Sequence, residues 1–545
     1  MNFSSRRARW LLAIGLFAVV WFGCLDYRRL IDPDEGRYAE IAREMVVSGD
    51  WLTPRLNGFK YFEKPPLQYW ATAAAFSLFG EHHWSARLWA ALTGFLGVLF
   101  TAFAAGRLFD RQTGWIAGAV LASSLLWGLV GHVNTLDMGV SAFLAAAIFA
   151  LCLAQRDGTT PVESRRWQDG AWMLLALATL SKGLIGIVLP AAAVTIYAFW
   201  QRDFDLFRRI RLWRGLGIFL LLTAPWFIAV SLANPGFAWF FFIHEHFQRF
   251  LTTVHHRYAP VWYFVPILLA GILPWLGSLW PGIRIGWRAD EGKHFQPQRL
   301  LLVWAGLVFV FFSLSDSKLT SYILPMFPAL AVLIARHLTI PGRGHANAWL
   351  TLGAGLLGWC IVPFAIHRAD TPVMEEIYRH YQQWLYAAAT LFTAGGGMAI
   401  LLLRRRAQTG AIALLAITGF GGGQAILLGH DAFGAVNSAH DIALRARALA
   451  PPDVPFYSVD TYDQSFQFYL RRTTTMVIDK DELDFGIAQE PEKFVPDMTS
   501  FIERWRQAPE AWAMMQTGTW TQLQAQGLPM LEVTRDARRV VVRKP

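Results

Sequence analysis

Apolar stretches of about twenty residues recur along most of this sequence, and that is the length an α-helix needs to cross the hydrocarbon core of a bilayer. They lie near residues 10–26, 85–106, 114–131, 138–154, 170–181, 184–200, 215–233, 261–280, 300–315, 322–337, 347–366, 383–403 and 410–428. With about thirteen such stretches, the chain reads as an α-helical polytopic membrane protein. Composition agrees: 54% of the residues are hydrophobic and 16% charged, against roughly a quarter charged in soluble domains. The 25 Trp and 40 Phe suit the zone where hydrocarbon meets headgroups. Arg6, Arg7 and Arg9 before Trp10 to Cys24 imitate a secretory signal. The run lacks a small-residue cleavage site and many apolar runs follow, which makes it a first span.

The formal charge of +10 lies in arginine clusters between apolar stretches, a pattern of membrane topology rather than of nucleic-acid binding. Arg6/Arg7/Arg9, Arg107/Arg111, Arg165/Arg166, Arg208/Arg209/Arg211 and Arg404/Arg405/Arg406 fall on one side, which is expected to be cytoplasmic. The outer segments are then the loop 27–84, short turns near 131–137, 181–183 and 316–321, the loops 234–260 and 367–382, and the tail. This divides the chain into a membrane domain, 1–428, and an outer domain, 429–545. From Pro451 onward, strand-like runs (Pro455 to Val459, Thr474 to Ile478, Ala511 to Gln516, Arg538 to Val542) alternate with helix-like segments such as Met498 to Gln507. A small α/β domain is expected there. That domain has no Gly-rich phosphate loop, and the chain's three cysteines show no ligand or disulfide spacing. No nucleotide cofactor is expected.

The first outer loop concentrates charge: Asp32-Pro33-Asp34-Glu35-Gly36-Arg37-Tyr38-Ala39-Glu40, then Gly49-Asp50-Trp51, then Tyr61-Phe62-Glu63-Lys64-Pro65-Pro66. Pro33 suits a helix start, with Asp34 and Glu35 in the first turn where the helix dipole stabilises carboxylates. A capped surface helix would use the same residues, but charges of both signs beside a span favour a site. Asp137 stands between two apolar runs, where an acid needs a polar cavity or a partner, unless the turn is simply solvated. Lys182 and Lys318 are lone cations in short outer turns, open either to an anionic ligand or to lipid phosphates, and Tyr322 follows Lys318 as a donor. In the loop 234–260, His244 with Glu63 could hold a divalent metal, and Arg249 adds a cation. The same loop could equally be an interfacial helix. Together these groups suit a phosphate-bearing, lipid-linked substrate at the outer surface, with the activated donor supplying the energy.

The runs beginning at Asp32, Gly49 and Tyr61 resemble the 4-amino-4-deoxy-L-arabinose lipid A transferases, relatives of the protein O-mannosyltransferases. The stretch Pro66-Leu67-Gln68-Tyr69 departs from the enterobacterial pattern and follows the broader family, so the resemblance specifies the reaction class more closely than the sugar. It implies a C-type membrane glycosyltransferase fold with an outer cavity, and transfer of aminoarabinose from undecaprenyl phosphate to a lipid A phosphate at the periplasmic face of the bacterial inner membrane. Lower lipid A charge and polymyxin resistance would follow. By motif position Asp34 is the principal acid and Asp137 the second, with Glu35 beside them. Arg37, Lys64, Lys182 and Tyr322 are donor-phosphate contacts, with Tyr38, Lys318 and Arg249 as further substrate contacts. Glu63 and His244 form a metal pair.

A phosphate monoester has its second pKa near ~6 and needs no general base. The acids then orient the sugar and stabilise developing positive charge, in a single inverting displacement. With a hydroxyl acceptor, Asp34 would be the base. A transporter is the competing class, but transporters gather polar groups at mid-membrane rather than in one outer loop.

Overall fold

The computed structural model describes residues 3–248 and 259–545. Each apolar stretch coincides with a helix or a broken helix. The first part of the chain runs as α1 (Phe3–Phe22), α2 (Asp34–Ser48), α3 (Leu67–Phe79), α4 (His83–Leu108), α5 (Arg111–Ser123), α6 (Leu125–Val130), α7 (Leu136–Gln155), α8 (Pro161–Lys182), α9 (Ile185–Gln201), α10 (Leu206–Arg209) and α11 (Leu212–Ala233). Further helices include Pro297–Leu314, Phe327–Leu338, His345–Ile361, Pro372–Arg404 and Gln408–Gly429. Eight helices among the described residues are long and apolar enough to cross a bilayer, or nine if Val261–Gly271 and Leu276–Trp287, bent by 112°, form one span. Pro274 lies at that bend, where its ring and missing N–H interrupt the helical ladder. The sequence expectation of about thirteen crossings also counted shorter pieces such as α9 and the α5–α6 pair.

The outer loop between α1 and α4 is folded rather than draped on the surface. Helix α2 is buried along most of its length, from Glu35 to Met45. It ends at Gly49, whose φ of +72° places it in the left-handed region that glycine adopts freely. A two-stranded hairpin follows, β1 (Arg55–Leu56) with β2 (Phe59–Lys60).

The tail is the expected α/β domain. Its sheet joins β3 (Phe456–Val459), β4 (Thr475–Val477), β5 (Phe494–Val495), β6 (Trp512–Gln516), β7 (Leu531–Arg535) and β8 (Arg539–Arg543) in the order β5-β4-β3-β6-β8-β7. The pairs of β3 with β4, β3 with β6 and β4 with β5 are parallel, and β8 runs antiparallel to β6 and β7. One face packs with helix Met498–Gln507 through Phe501 and Trp505. The other joins the core of the first outer loop through Phe456, Met514 and Val541. One apolar core thus spans both segments, and burial of this kind contributes about 25 cal/mol per Å2.

Polar contacts fix the register of that docking. The Asn57 side chain donates to the Thr474 carbonyl and accepts from the Thr474 N–H, at 2.9 and 2.7 Å. Asp32 accepts from the Ser465 N–H at 2.7 Å. Arg539 pairs with Asp463 and lies 3.9 Å from Asp32. Burial and the neighbouring Asp463 push the Asp32 carboxyl well up. At Gly36 a Cβ would meet the Ser465 backbone nitrogen at 2.6 Å, so the close approach of α2 to helix Gln464–Leu470 requires glycine there.

Candidate active site

A cavity of about 430 Å3 lies where this docking meets the membrane helices. Its lining comes from α2 (Asp34, Arg37, Tyr38), the segment after the hairpin (Glu63, Lys64), the start of α7 (Thr135, Asp137) and the end of α8 (Lys182). The segment Leu319–Tyr322 and, from the C-terminal domain, Gln464, Asp481 and Glu482 complete it. Five carboxylates face three cations: Asp34, Glu63, Asp137, Asp481 and Glu482 against Arg37, Lys64 and Lys182.

Each cation is held by acids. Arg37 donates to Asp34 at 3.0 Å and to Glu482 at 2.5 Å, bridging the two domains. Lys182 pairs with Asp137 and stands 4.5 Å from the centroid of the Tyr322 ring. The other Asp137 oxygen accepts from Ser321 Oγ at 2.6 Å, and its backbone N–H donates to Thr135, which caps α7. Lys64 donates to the Glu63 carbonyl at 2.8 Å and lies 3.3 Å from Glu245 Oε2. Burial pushes the Glu482 carboxyl up to about 7 although Arg37 pulls it down, and Glu63 and Asp481 add to the rise. This acid changes charge near neutral pH. Behind the lining, the Tyr61 and Tyr69 hydroxyls are buried without a hydrogen-bond partner among the described residues.

Of the residues named from the sequence, the structure brings Asp34, Arg37, Tyr38, Glu63, Lys64, Asp137, Lys182 and Tyr322 to this cavity. Glu35 is corrected. One residue further along α2, about 100° around its axis, it is turned into the protein. It accepts from Arg87 at 2.7 and 2.9 Å and from the Asn134 N–H at 3.0 Å. Burial would raise its pKa, but Arg87 and Arg28 hold it at about 2. Lys318 is also elsewhere, with its ammonium clasped by the Ala259 and Ser315 carbonyls. Arg249 lies outside the described residues.

His244 stacks on Phe240, with its Nδ1 3.5 Å from Glu245. The Lys64 ammonium lies 3.5 Å from Glu63 and 3.3 Å from Glu245. Among the described residues no three His, Cys, Asp or Glu side chains are arranged to hold a metal.

The sequence reading missed Gln464, Asp481 and Glu482. Asp481 and Glu482 carry one local signal, the acidic run Asp479-Lys480-Asp481-Glu482 after a strand, and Gln464 lies outside it.

Residues 442–544 match the family described as the aminoarabinose transferase C-terminal domain, and residues 63–228 match the dolichyl-phosphate-mannose-protein mannosyltransferases. Undecaprenyl phosphate-α-4-amino-4-deoxy-L-arabinose arabinosyl transferases from Erwinia tasmaniensis and Aeromonas hydrophila are 34% and 36% identical to this chain. The first alignment covers 72% of each chain, the second 71% of this chain and 70% of the relative. The crystal structure of ArnT from Cupriavidus metallidurans bound to undecaprenyl phosphate superposes with a TM-score of 0.93 at 38% identity, over 98% of both chains. An archaeal oligosaccharyltransferase, AglB from Archaeoglobus fulgidus, shares the fold at 14% identity with a TM-score of 0.54, over 95% of this chain and 70% of its own.

The two adjacent acids of α2 make separable predictions. Removing Glu35 leaves Arg87 buried and uncompensated, so Glu35→Ala lowers stability by about 3–5 kcal/mol, read as a fall in Tm in detergent. Asp34→Asn, at a side chain 39% exposed to the cavity, leaves the Tm unchanged.

Proposed function

The chain belongs to the undecaprenyl phosphate-aminoarabinose transferase family of membrane glycosyltransferases, and from that membership and the cavity's chemistry we propose the reaction it performs. It transfers 4-amino-4-deoxy-L-arabinose from undecaprenyl phosphate to a phosphate of lipid A, at the periplasmic face of the inner membrane. The observation that carries this reading is the interleaving of Arg37, Lys64 and Lys182 with Asp34, Glu63, Asp137, Asp481 and Glu482 in one cavity. A sugar bearing an ammonium group and linked to a phosphate carries both complementary charges.

The ion pairs suggest how the donor enters. Arg37 is shared by Asp34 and Glu482. A donor phosphate that takes up Arg37, Lys64 and Lys182 releases carboxylates, which then hold the amine and face the positive charge that develops at the anomeric carbon. Tyr322 adds a hydroxyl donor for the phosphate. An oxygen of the lipid A phosphate, already anionic at neutral pH, attacks the anomeric carbon. The bond from that carbon to the undecaprenyl phosphate oxygen breaks, and its electron pair leaves with the phosphate, stabilised by the three cations. Asp34 and Asp137 position the sugar and act as no base in this step. The arginine clusters at the opposite ends of α4, α8 and α11 support a cytoplasmic placement for those ends and a periplasmic one for the cavity. The product carries an added amine, which lowers the negative charge of lipid A and weakens its attraction for cationic peptides such as polymyxin.

Mass spectrometry of lipid A from cells with and without the protein tests the function. The expected result is an added mass equal to one aminopentose residue. Asp34→Asn and Lys64→Ala each reduce that species by about two orders of magnitude or more at unchanged membrane expression, and full modification with either variant would contradict the site.

A second prediction concerns pH. Glu482 is neutral below about 7 and charged above it. An amine held by that carboxylate binds more tightly as pH rises through this value, so the donor KM of the purified enzyme falls across it. Glu482→Gln flattens the profile and raises KM. A wild-type KM independent of pH would contradict the assignment.

A further inference from the structure

A second cavity lies at the other end of the membrane helices. Helices α7, α8 and α9 meet the first cavity through the start of α7 and the end of α8. The far half of α7, the middle of α8 and much of α9, with α10 and the start of α11, enclose a groove of about 270 Å3. It is apolar throughout apart from Thr195 and the Trp172 indole, with Leu151, Pro190, Ala191, Phe207, Ile210 and Leu212 on its walls. It opens outward from the bundle, since Ala191 and Leu212 are exposed. The indole Nε1 of Trp172 donates to the Ile210 carbonyl and Thr195 Oγ1 to the Ala191 carbonyl, so neither polar group is left unsatisfied in hydrocarbon.

The rim of the groove is cationic. Arg211 lies between the lining residues Ile210 and Leu212, and Arg208 follows lining residue Phe207. Arg208 is 90% exposed and has Asp205 as its nearest acid, at 3.8 Å. Asp169, one turn before Trp172, is gripped by Arg214 at 2.8 and 2.9 Å. Arg211 and Arg165 act electrostatically on the same carboxylate. Three arginines around one acid leave positive charge unbalanced. Trp213, 83% exposed, and Phe204 stand among these arginines and mark this level as a membrane–water interface.

We propose that this groove is a binding site for an anionic glycerophospholipid. One acyl chain fills the cavity, and the headgroup phosphate sits among Arg165, Arg208 and Arg211. The charge surplus selects an anionic headgroup over a zwitterionic one. The bound chain packs against α7, α8 and α9. The site is separate from the catalytic cavity, and the proposal does not depend on the transfer reaction.

The test is native mass spectrometry of the full chain purified in neutral detergent, titrated with phosphatidylglycerol or phosphatidylcholine of matched acyl chains. With three arginines near the headgroup, phosphatidylglycerol binds about tenfold more tightly or better. The triple variant R165A/R208A/R211A binds both lipids equally. Ala191→Phe, which fills the groove from an exposed position, reduces binding of both lipids at unchanged transferase activity. It keeps the test decisive should the triple variant fail to fold. Equal binding of the two lipids by the wild type, full binding by Ala191→Phe, or displacement of phosphatidylglycerol by undecaprenyl phosphate would each overturn the proposal.

Discussion

Arg37 is bound at once by Asp34 of its own helix and by Glu482 of the C-terminal domain, and the cavity depends on that bridge. Without the outer domain, α2 would present an acidic helix start to water and the cavity would lose Gln464, Asp481 and Glu482 from its wall. Arg37 and Glu482 are buried whereas Asp34 is 39% exposed, so losing Glu482 strands charge in a low-dielectric setting and losing Asp34 does not. It is backed by Arg539 with Asp463 and Asp32, by the reciprocal Asn57–Thr474 hydrogen bonds and by the shared apolar core. Within a few residues at the start of α2 the roles divide: Asp32 and Glu35 are tied into the protein, and Asp34 and Arg37 line the cavity.

The membrane setting explains why so many charges come in closed sets. Arg87 spends its donors on both oxygens of Glu35 and on the carbonyls of Leu25, Arg28 and Arg29, as a buried guanidinium must. The cavity differs because its pairs can be exchanged. A phosphate can replace the carboxylates on Arg37, Lys64 and Lys182, and an amine can replace the cations on the carboxylates. A site of exchangeable ion pairs suits a ligand that carries both charges and releases one of them as a phosphate.

Much of this was legible in the sequence, for identifiable reasons. Apolar length placed the membrane helices, because a bilayer demands it. Alternation placed β3, β4, β6 and β8 and the helix Met498–Gln507, whereas β5 is two residues long and offers no period to detect. Asp137 and Lys182 stand out because charge beside a span is costly without a partner, whereas Asp34 and Lys64 are singled out by the family resemblance. Glu35 was misassigned since adjacency along a helix is not adjacency in space. Lys318 satisfies carbonyls, which composition cannot foresee. Asp481 and Glu482 reach the site across more than four hundred residues, a distance at which no spacing rule operates.

The claim at the centre of this account is a direct displacement, with the acceptor phosphate as nucleophile and the cavity's acids holding the sugar without bonding to it. The anomeric configuration of the aminoarabinose on lipid A, compared by NMR with that of the donor, tests it most directly. Direct displacement predicts inversion. Retention would mean an intermediate glycosylated on a carboxylate such as Asp34, and would contradict the account.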